Sequence, residues 1–169
     1  MIKSNYKGNV WKFKDNVSTD SIAPGRLMYL RSNPEEYAKH VLEDANLDFP
    51  KKVKKDDFIV AGINFGCGSS REIAPLIIKI AGVGAILAKS FGRIFYRNAI
   101  NNGMLLIQCD TDNIQEHDIL SIDTDKGEIK KEGDPNFKID FKIEEIEKRI
   151  LKEDGLLNYE EKHGSLEQL

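Results

Sequence analysis

Residues 60–75 read VAGINFGCGSSREIAP, and the fold turns on what this stretch is. The approach to it, Phe58-Ile59-Val60-Ala61, is an unbroken apolar run of the length and kind of a strand buried on both faces. After it, Ile73, Ile77, Ile80 and Ala81 recur at helical spacing, which predicts a helix with those side chains inward. Between them lie Gly62, Gly66 and Gly68, which let a chain turn sharply and bring its backbone against a ligand. Ser69, Ser70 and Arg71 stand at the mouth of the helix, where free N–H groups and the positive end of the dipole favour an anion. Two hydroxyls and a fixed guanidinium add a grip for carboxylate or phosphate. Pro75 must fall in the first turn, since a proline deeper in a helix costs ~3 kcal/mol or more. The serines therefore lie at the start of the helix or just before it.

Familiar ligand loops do not fit these residues. A phosphate-binding P-loop needs a Gly-Lys-Ser/Thr ending, and no lysine is present. The dinucleotide pattern fails because Gly66-Cys67-Gly68 lacks its third glycine. The Gly-x-Ser-x-Gly elbow of hydrolases is absent. Cys67 has no histidine nearby to activate it as a nucleophile. A serine-capped glycine turn needs one hydroxyl and leaves Ser-Ser-Arg-Glu unexplained. The ligand expected is a small anion.

Outward from this loop the pattern is α/β. NVWKF (9–13) reads as a strand and KDNVSTDSIAPGR as a loop; SNPEEYAKHVLED opens a helix with Ser32 or Asn33 as cap and Pro34 first. GAILAK (84–89) and MLLIQ (104–108) are buried strands. They flank a helix in SFGRIFYRNAINNG (90–103), with Ser90 as cap, Phe91, Ile94 and Phe95 inward, and Gly103 as terminator. Beyond residue 117 the alternation and the turns at Gly127 and Gly133-Asp134-Pro135 predict a meander. A helix follows near 143–153, and the end, YEEKHGSLEQL, reads as frayed. With no repeat and no linker, residues 1–169 are expected to form one domain.

Hydrophobic residues make up 40% and charged residues 31% of the chain, and the formal net charge is −3. That balance suits a globular protein and gives no electrostatic case for nucleic acid. Lys51-Lys52-Val53-Lys54-Lys55 runs straight into Asp56-Asp57 and reads as a solvated turn. No window approaches a membrane span, and MIKSNYKGNVWKF lacks an apolar leader; the expected location is cytoplasmic. Cys67 and Cys109 are the only cysteines, expected to be reduced. With His40, His117 and His163 they show no metal-ligand spacing, so no metal or cofactor is expected in this chain.

Three ordered blocks, DNVSTDSIAPGRLMYLRS (15–32), NFGCGSSREIAP and AKSFGRIFYRNAINNGMLLI, resemble the aconitase-type swivelling-domain family. Within it they are similar to the small subunits of 3-isopropylmalate dehydratases and homoaconitases. The resemblance is strong over residues 8–108. It implies a three-layer β/β/α swivelling domain, partly an open barrel, where periodicity alone leaves a doubly wound sheet equally open.

Family enzymes move a hydroxyl between neighbouring carbons by dehydration and rehydration. The resemblance puts the base at Ser69, acting as an alkoxide that helix-start amides and Arg71 would stabilise, and the carboxylate grip at Ser70 and Arg71. It makes Asp20 the acidic residue that orients the serine or a basic partner, and Glu72 a structural residue pairing Arg71 or a loop amide. Arg31, in Tyr-Leu-Arg-Ser, stands where relatives distinguish substrates. It suits a distal carboxylate as in homoaconitate, whereas isopropylmalate presents an isopropyl group there. Arg93, Arg97 and Asn101, four residues apart, are expected on one side of their helix as support or as a partner contact. Two departures stand out: Ile73 replaces the usual histidine, and Gly92 replaces an alanine at a cost of ~1 kcal/mol in helix propensity.

Family enzymes also use a [4Fe–4S] cluster with three cysteine ligands, which two cysteines cannot supply. The resemblance thus implies a separate large subunit that carries the cluster and on which this chain closes. Three readings follow: the isopropylmalate dehydratase small subunit of leucine biosynthesis, a small subunit for homoaconitate or another substituted malate, and a non-catalytic protein that binds a small anion.

Overall fold

The computed structural model describes residues 1–165. Seven strands form a single mixed sheet in the order β4-β3-β2-β1-β5-β6-β7. They are β1 (Asn5–Lys12), β2 (Phe58–Ala61), β3 (Ala85–Ala88), β4 (Leu106–Gln108), β5 (Ile119–Asp123), β6 (Glu128–Lys131) and β7 (Asp134–Asp140). Strand β1 serves both halves. Its first five residues pair antiparallel with β5, and Val10–Lys12 pair parallel with β2. On one side β2, β3 and β4 continue in parallel; on the other β5, β6 and β7 meander. The sheet curls into a half-barrel with helices on its flank, the aconitase-type swivelling fold.

Strands β2 and β3 are buried at every residue, which is why their sequences are continuous apolar runs and not alternations. The helices are α1 (Thr19–Ile22), α2 (Pro34–Ala38), α3 (Phe49–Lys52), α4 (Ile73–Ile80), α5 (Arg93–Asn101), α6 (Glu145–Lys152) and α7 (Leu156–His163). A 3-10 stretch, Gly25–Ser32, joins α1 to α2 with a kink at Leu27. Asn33 caps α2 by accepting from the amide of Glu36 at 3.2 Å, and Pro34 follows in the first turn.

Several local expectations are corrected. On α4 the buried residues are Pro75 in the first turn and Ala74, Ile77 and Ile78. Ala74, Ile77 and Ile78 are i, i+3 and i+4 on one face, so Ile80 falls off it and is 38% exposed. On α5 Phe95 is inward, but Ile94, 100° further round the helix, is 54% exposed. Ser90 does not cap α5; its hydroxyl accepts from the amide of Asn64 at 2.8 Å. Gly92 is the N-cap, in extended conformation (φ −62°, ψ 131°), so helix propensity is not at issue there. A Cβ on it would stand 2.6 Å from the carbonyl oxygen of Gly66. Its smallness lets two loops touch. At the other end, the stretch expected to fray includes residues 159–163 of α7, tied down by Tyr159 at 6% exposure; residues 166–169 lie outside the described residues.

Candidate active site

Three loops leave the carboxyl ends of the parallel strands β1, β2 and β3, the edge where open α/β sheets take ligands. The β1 loop and the β2 loop are zipped together. Asp15 accepts from the amide of Ile63 at 2.8 Å, and the Asn64 side chain donates to that of Asn16 at 3.0 Å. Gly66 donates its amide to Val17 at 2.7 Å, and Thr19 donates its own to Cys67 at 2.8 Å. The β3 loop closes the other flank: Phe65 donates to Ser90 at 3.0 Å and Gly92 to Phe65 at 2.8 Å. Gly66, in left-handed conformation (φ +77°) against the ring of Phe95, has no room for a side chain.

This zipping brings Asp20 to Arg71, 51 positions on. The Arg71 Nη2 lies 2.6 Å from Asp20 Oδ1, and its Nη1 donates to the carbonyl of Ala23 at 2.7 Å. Its Nε points at the Ser69 hydroxyl, 3.4 Å away. Asp20, Ala23 and Ser69 thus each contact a different nitrogen of the guanidinium. The arginine is largely shielded, with a side chain 19% exposed, while that of Asp20 is 64% exposed. Gly25 makes room for the pair: a Cβ there would stand 2.6 Å from Asp20 Oδ1 and 3.3 Å from Arg71 Nη2.

Beneath the serines, Thr19 is 2% exposed and its hydroxyl donates to the carbonyl of Ser69 at 2.7 Å. Tyr37, fully buried, donates its hydroxyl to Pro24 at 2.8 Å, and burial pushes its phenol up from the ordinary range. Helix α4 starts at Ile73 with Pro75 in its first turn, so Ser69 and Ser70 precede it and are exposed.

Ser69, Ser70, Arg71 and Asp20 therefore meet at one place. Arg31 comes to its edge: it lines a cavity of about 730 Å³ with Met28, Ser70, Arg71 and Glu72, and makes no ion pair among the described residues. Glu72 does not pair with Arg71, whose guanidinium Asp20 and Ala23 already hold; it is the N-cap residue of α4 and makes no side-chain capping bond. Arg93 and Arg97 line a second cavity at Gly66–Gly68, whereas Asn101 lines the first. At 3.6 residues per turn, eight residues drift about 80°, enough to change neighbours. The parts that sequence reasoning missed are Thr19, Gly25 and the Ala23 carbonyl. Thr19 sits inside the quoted STDS and Gly25 inside APGR, but burial and a forbidden Cβ are invisible in one dimension. Among the described residues no group of three or more His, Cys, Asp or Glu side chains could hold a metal; the two cysteines do not fit a [4Fe–4S] cluster.

Comparison with known proteins places the chain in a family. The family model described as the aconitase C-terminal domain matches residues 15–112. A 3-isopropylmalate dehydratase small subunit of Thermotoga maritima is 57% identical over 163 residues, spanning 94% of this chain and 96% of its own. An isopropylmalate/citramalate isomerase small subunit of Methanocaldococcus jannaschii is 48% identical over 160 residues, with 94% and 95% covered. A crystal structure of 3-isopropylmalate dehydratase from Methanocaldococcus jannaschii superposes with a TM-score of 0.88 at 48% identity, covering 97% of this chain and 98% of that one. This chain belongs to the 3-isopropylmalate dehydratase small-subunit family, built on the aconitase swivelling domain.

Proposed function

We propose that this chain is the small subunit of a two-subunit hydro-lyase that interconverts 2-isopropylmalate and 3-isopropylmalate in leucine biosynthesis. The observation that carries it is Arg71, held by Asp20 and Ala23 and aimed at the Ser69 hydroxyl. In this reading Ser69 Oγ, as alkoxide, takes the carbon-bound proton while the hydroxyl on the neighbouring carbon departs. Hydroxide then adds to the carbon that lost the proton, and Ser69 returns its proton to the neighbouring carbon. The guanidinium 3.4 Å away favours the serine anion, because a fixed cation beside a developing charge costs no reorganisation. Ser70 and Arg71 take a substrate carboxylate. Asp20 acts as the residue that orients Arg71. The Lewis acid for the departing hydroxyl is assigned to a [4Fe–4S] cluster in a large subunit, and the chain acts in the cytoplasm.

Arg31 favours a second reading. A guanidinium without an acidic partner in the cavity beside Ser70 suits a substrate with an extra carboxylate, as homoaconitate has. Against that, the Methanocaldococcus jannaschii relative is named for isopropylmalate and citramalate, which carry isopropyl and methyl groups. The test is co-expression with the large subunit under anaerobic conditions with iron supplied. Turnover of all three substrates is measured for wild type, Ser69→Ala and Arg31→Ala. Activity that needs both chains and collapses in Ser69→Ala supports the proposal. A homoaconitate preference lost in Arg31→Ala selects the second reading. Full activity without the Ser69 hydroxyl removes it as base, and no turnover from a loaded pair leaves a non-catalytic anion-binding protein.

A further inference from the structure

Six arginines occur in the chain, and they divide by partner. Arg26, Arg71 and Arg149 each pair with a carboxylate. Arg31, Arg93 and Arg97 pair with none among the described residues, and all three line the cavities that flank the 66–72 loop. Arg31 belongs to the first cavity. The second, of about 650 Å³, is lined by Asn64, Gly66, Cys67, Gly68, Gly92, Arg93, Ile94 and Arg97, and the proposed chemistry uses none of these residues.

Arg93 and Arg97 are one helical turn apart, so their guanidiniums are neighbours, and like charges at that spacing repel. No acid lies in the first turn of α5 and no side chain caps it, although that end of a helix favours negative charge. Across the same cavity, the amide of Gly68 donates to no acceptor among the described residues, while Cys67 is bridged to Ser18 of the β1 loop. Two fork-shaped cations and one open backbone donor lining a single cavity suit one planar, bidentate anion. The exposed Ile94 beside them adds apolar surface of the kind that the alkyl stem of a carboxylate covers. We propose that Arg93 and Arg97, with the amide of Gly68, form a second carboxylate-binding site, separate from the one at Ser70 and Arg71. The carboxylate comes from an acidic side chain of the partner subunit or from a dicarboxylic substrate.

Malonate is the probe. The full chain, labelled for amide NMR, is titrated as wild type, as Ser70→Ala, and as the pair Arg93→Gln with Arg97→Gln. Both arginines are exposed, and the spectrum itself reports whether each variant is folded. The expected result is saturable shifts at Cys67 and Gly68 in wild type and in Ser70→Ala, weakened at least tenfold in the arginine pair. Shifts that persist in the arginine pair, or that never saturate in wild type, overturn the site. This arm needs neither partner nor turnover, so it stands or fails apart from the dehydratase reading. The assembled enzyme then identifies the source. A tenfold weaker subunit Kd at unchanged KM assigns the carboxylate to the partner, and a raised KM at unchanged Kd assigns it to the substrate. A folded arginine pair that moves neither by more than twofold overturns the proposal.

Discussion

Gly25→Ala separates the work of the Asp20–Arg71 pair from the stability of the fold. Gly25 is not among the residues with positive φ, so alanine meets no backbone strain there. Restricting the unfolded chain stabilises by about 0.4–1 kcal/mol. Against this, the new Cβ would stand 2.6 Å from Asp20 Oδ1, closer than the two atoms can sit. Asp20 is a side chain 64% exposed and can swing into solvent, which forfeits a partly exposed ion pair of about 0.5–1 kcal/mol. The two terms nearly cancel, and Tm should stay within about 2 °C of wild type. Activity should not. Arg71 keeps the Ala23 carbonyl but loses the carboxylate that fixes its fork, and a displacement near 1 Å costs about 100-fold at a reacting centre. We expect kcat/KM, measured with saturating large subunit, to fall 10- to 100-fold while thermal unfolding by circular dichroism is unmoved. Asp20→Asn should reproduce the loss with Gly25 intact. Unchanged kcat/KM in both variants would refute the idea that Asp20 positions Arg71. A fall in Tm beyond about 5 °C would mean that the methyl strikes rigid structure and not a mobile carboxylate.

Thr19→Val removes the buried hydroxyl that holds the Ser69 carbonyl at 2.7 Å; we expect a loss of about 1 kcal/mol in urea unfolding, recovered in Thr19→Ser. Asp57, 3% exposed, accepts from the amides of Asn9 and Lys54 and from the Trp11 indole at 3.0 Å. Asp57→Ala strands those donors and should cost about 3 kcal/mol, read by tryptophan fluorescence; a cost below about 1 kcal/mol would mean that the donors find other partners. Burial, with the Asp110 carboxylate beside it, pushes the Cys109 thiol up to about 11 from an ordinary 9.0. Because the folded value is the higher, its contribution to stability is complete below pH 9 and is lost as pH rises through 11. Cys109 is half-buried, and iodoacetamide should label it more slowly at pH 8 than a free thiol; labelling there at the rate of a free thiol would contradict the raised value.

Much of this molecule is legible in one dimension because its signals are local. Buried parallel strands announce themselves as apolar runs at 58–61 and 85–88, since neither face meets water. Asn33 and Pro34 mark a helix start because a cap is chemistry between residues three apart. The order of the blocks around Asp20, Ser69 and Arg93 carried the family, and with it the swivelling fold that periodicity left open. Facing was read less well. Ile80 and Ile94 are apolar, but which 100° of a helix is covered depends on what packs against it, and both ended exposed.

What the sequence determined by itself is the set of parts: the strand, the glycine-rich turn, the two serines and the arginine at a helix start, and a cysteine count too small for a cluster. What only the tertiary structure decided is which parts touch. Asp20 and Arg71 are 51 positions apart and meet because β1 and β2 run side by side and their loops share hydrogen bonds. Gly25 and Gly92 look like ordinary turn and helix residues until the atoms that would strike their Cβ are in place. Backbone propensity and capping act over three or four positions, and a sequence displays them. Contact between distant segments depends on sheet register and on the volume left between loops, and these exist only once the chain has folded.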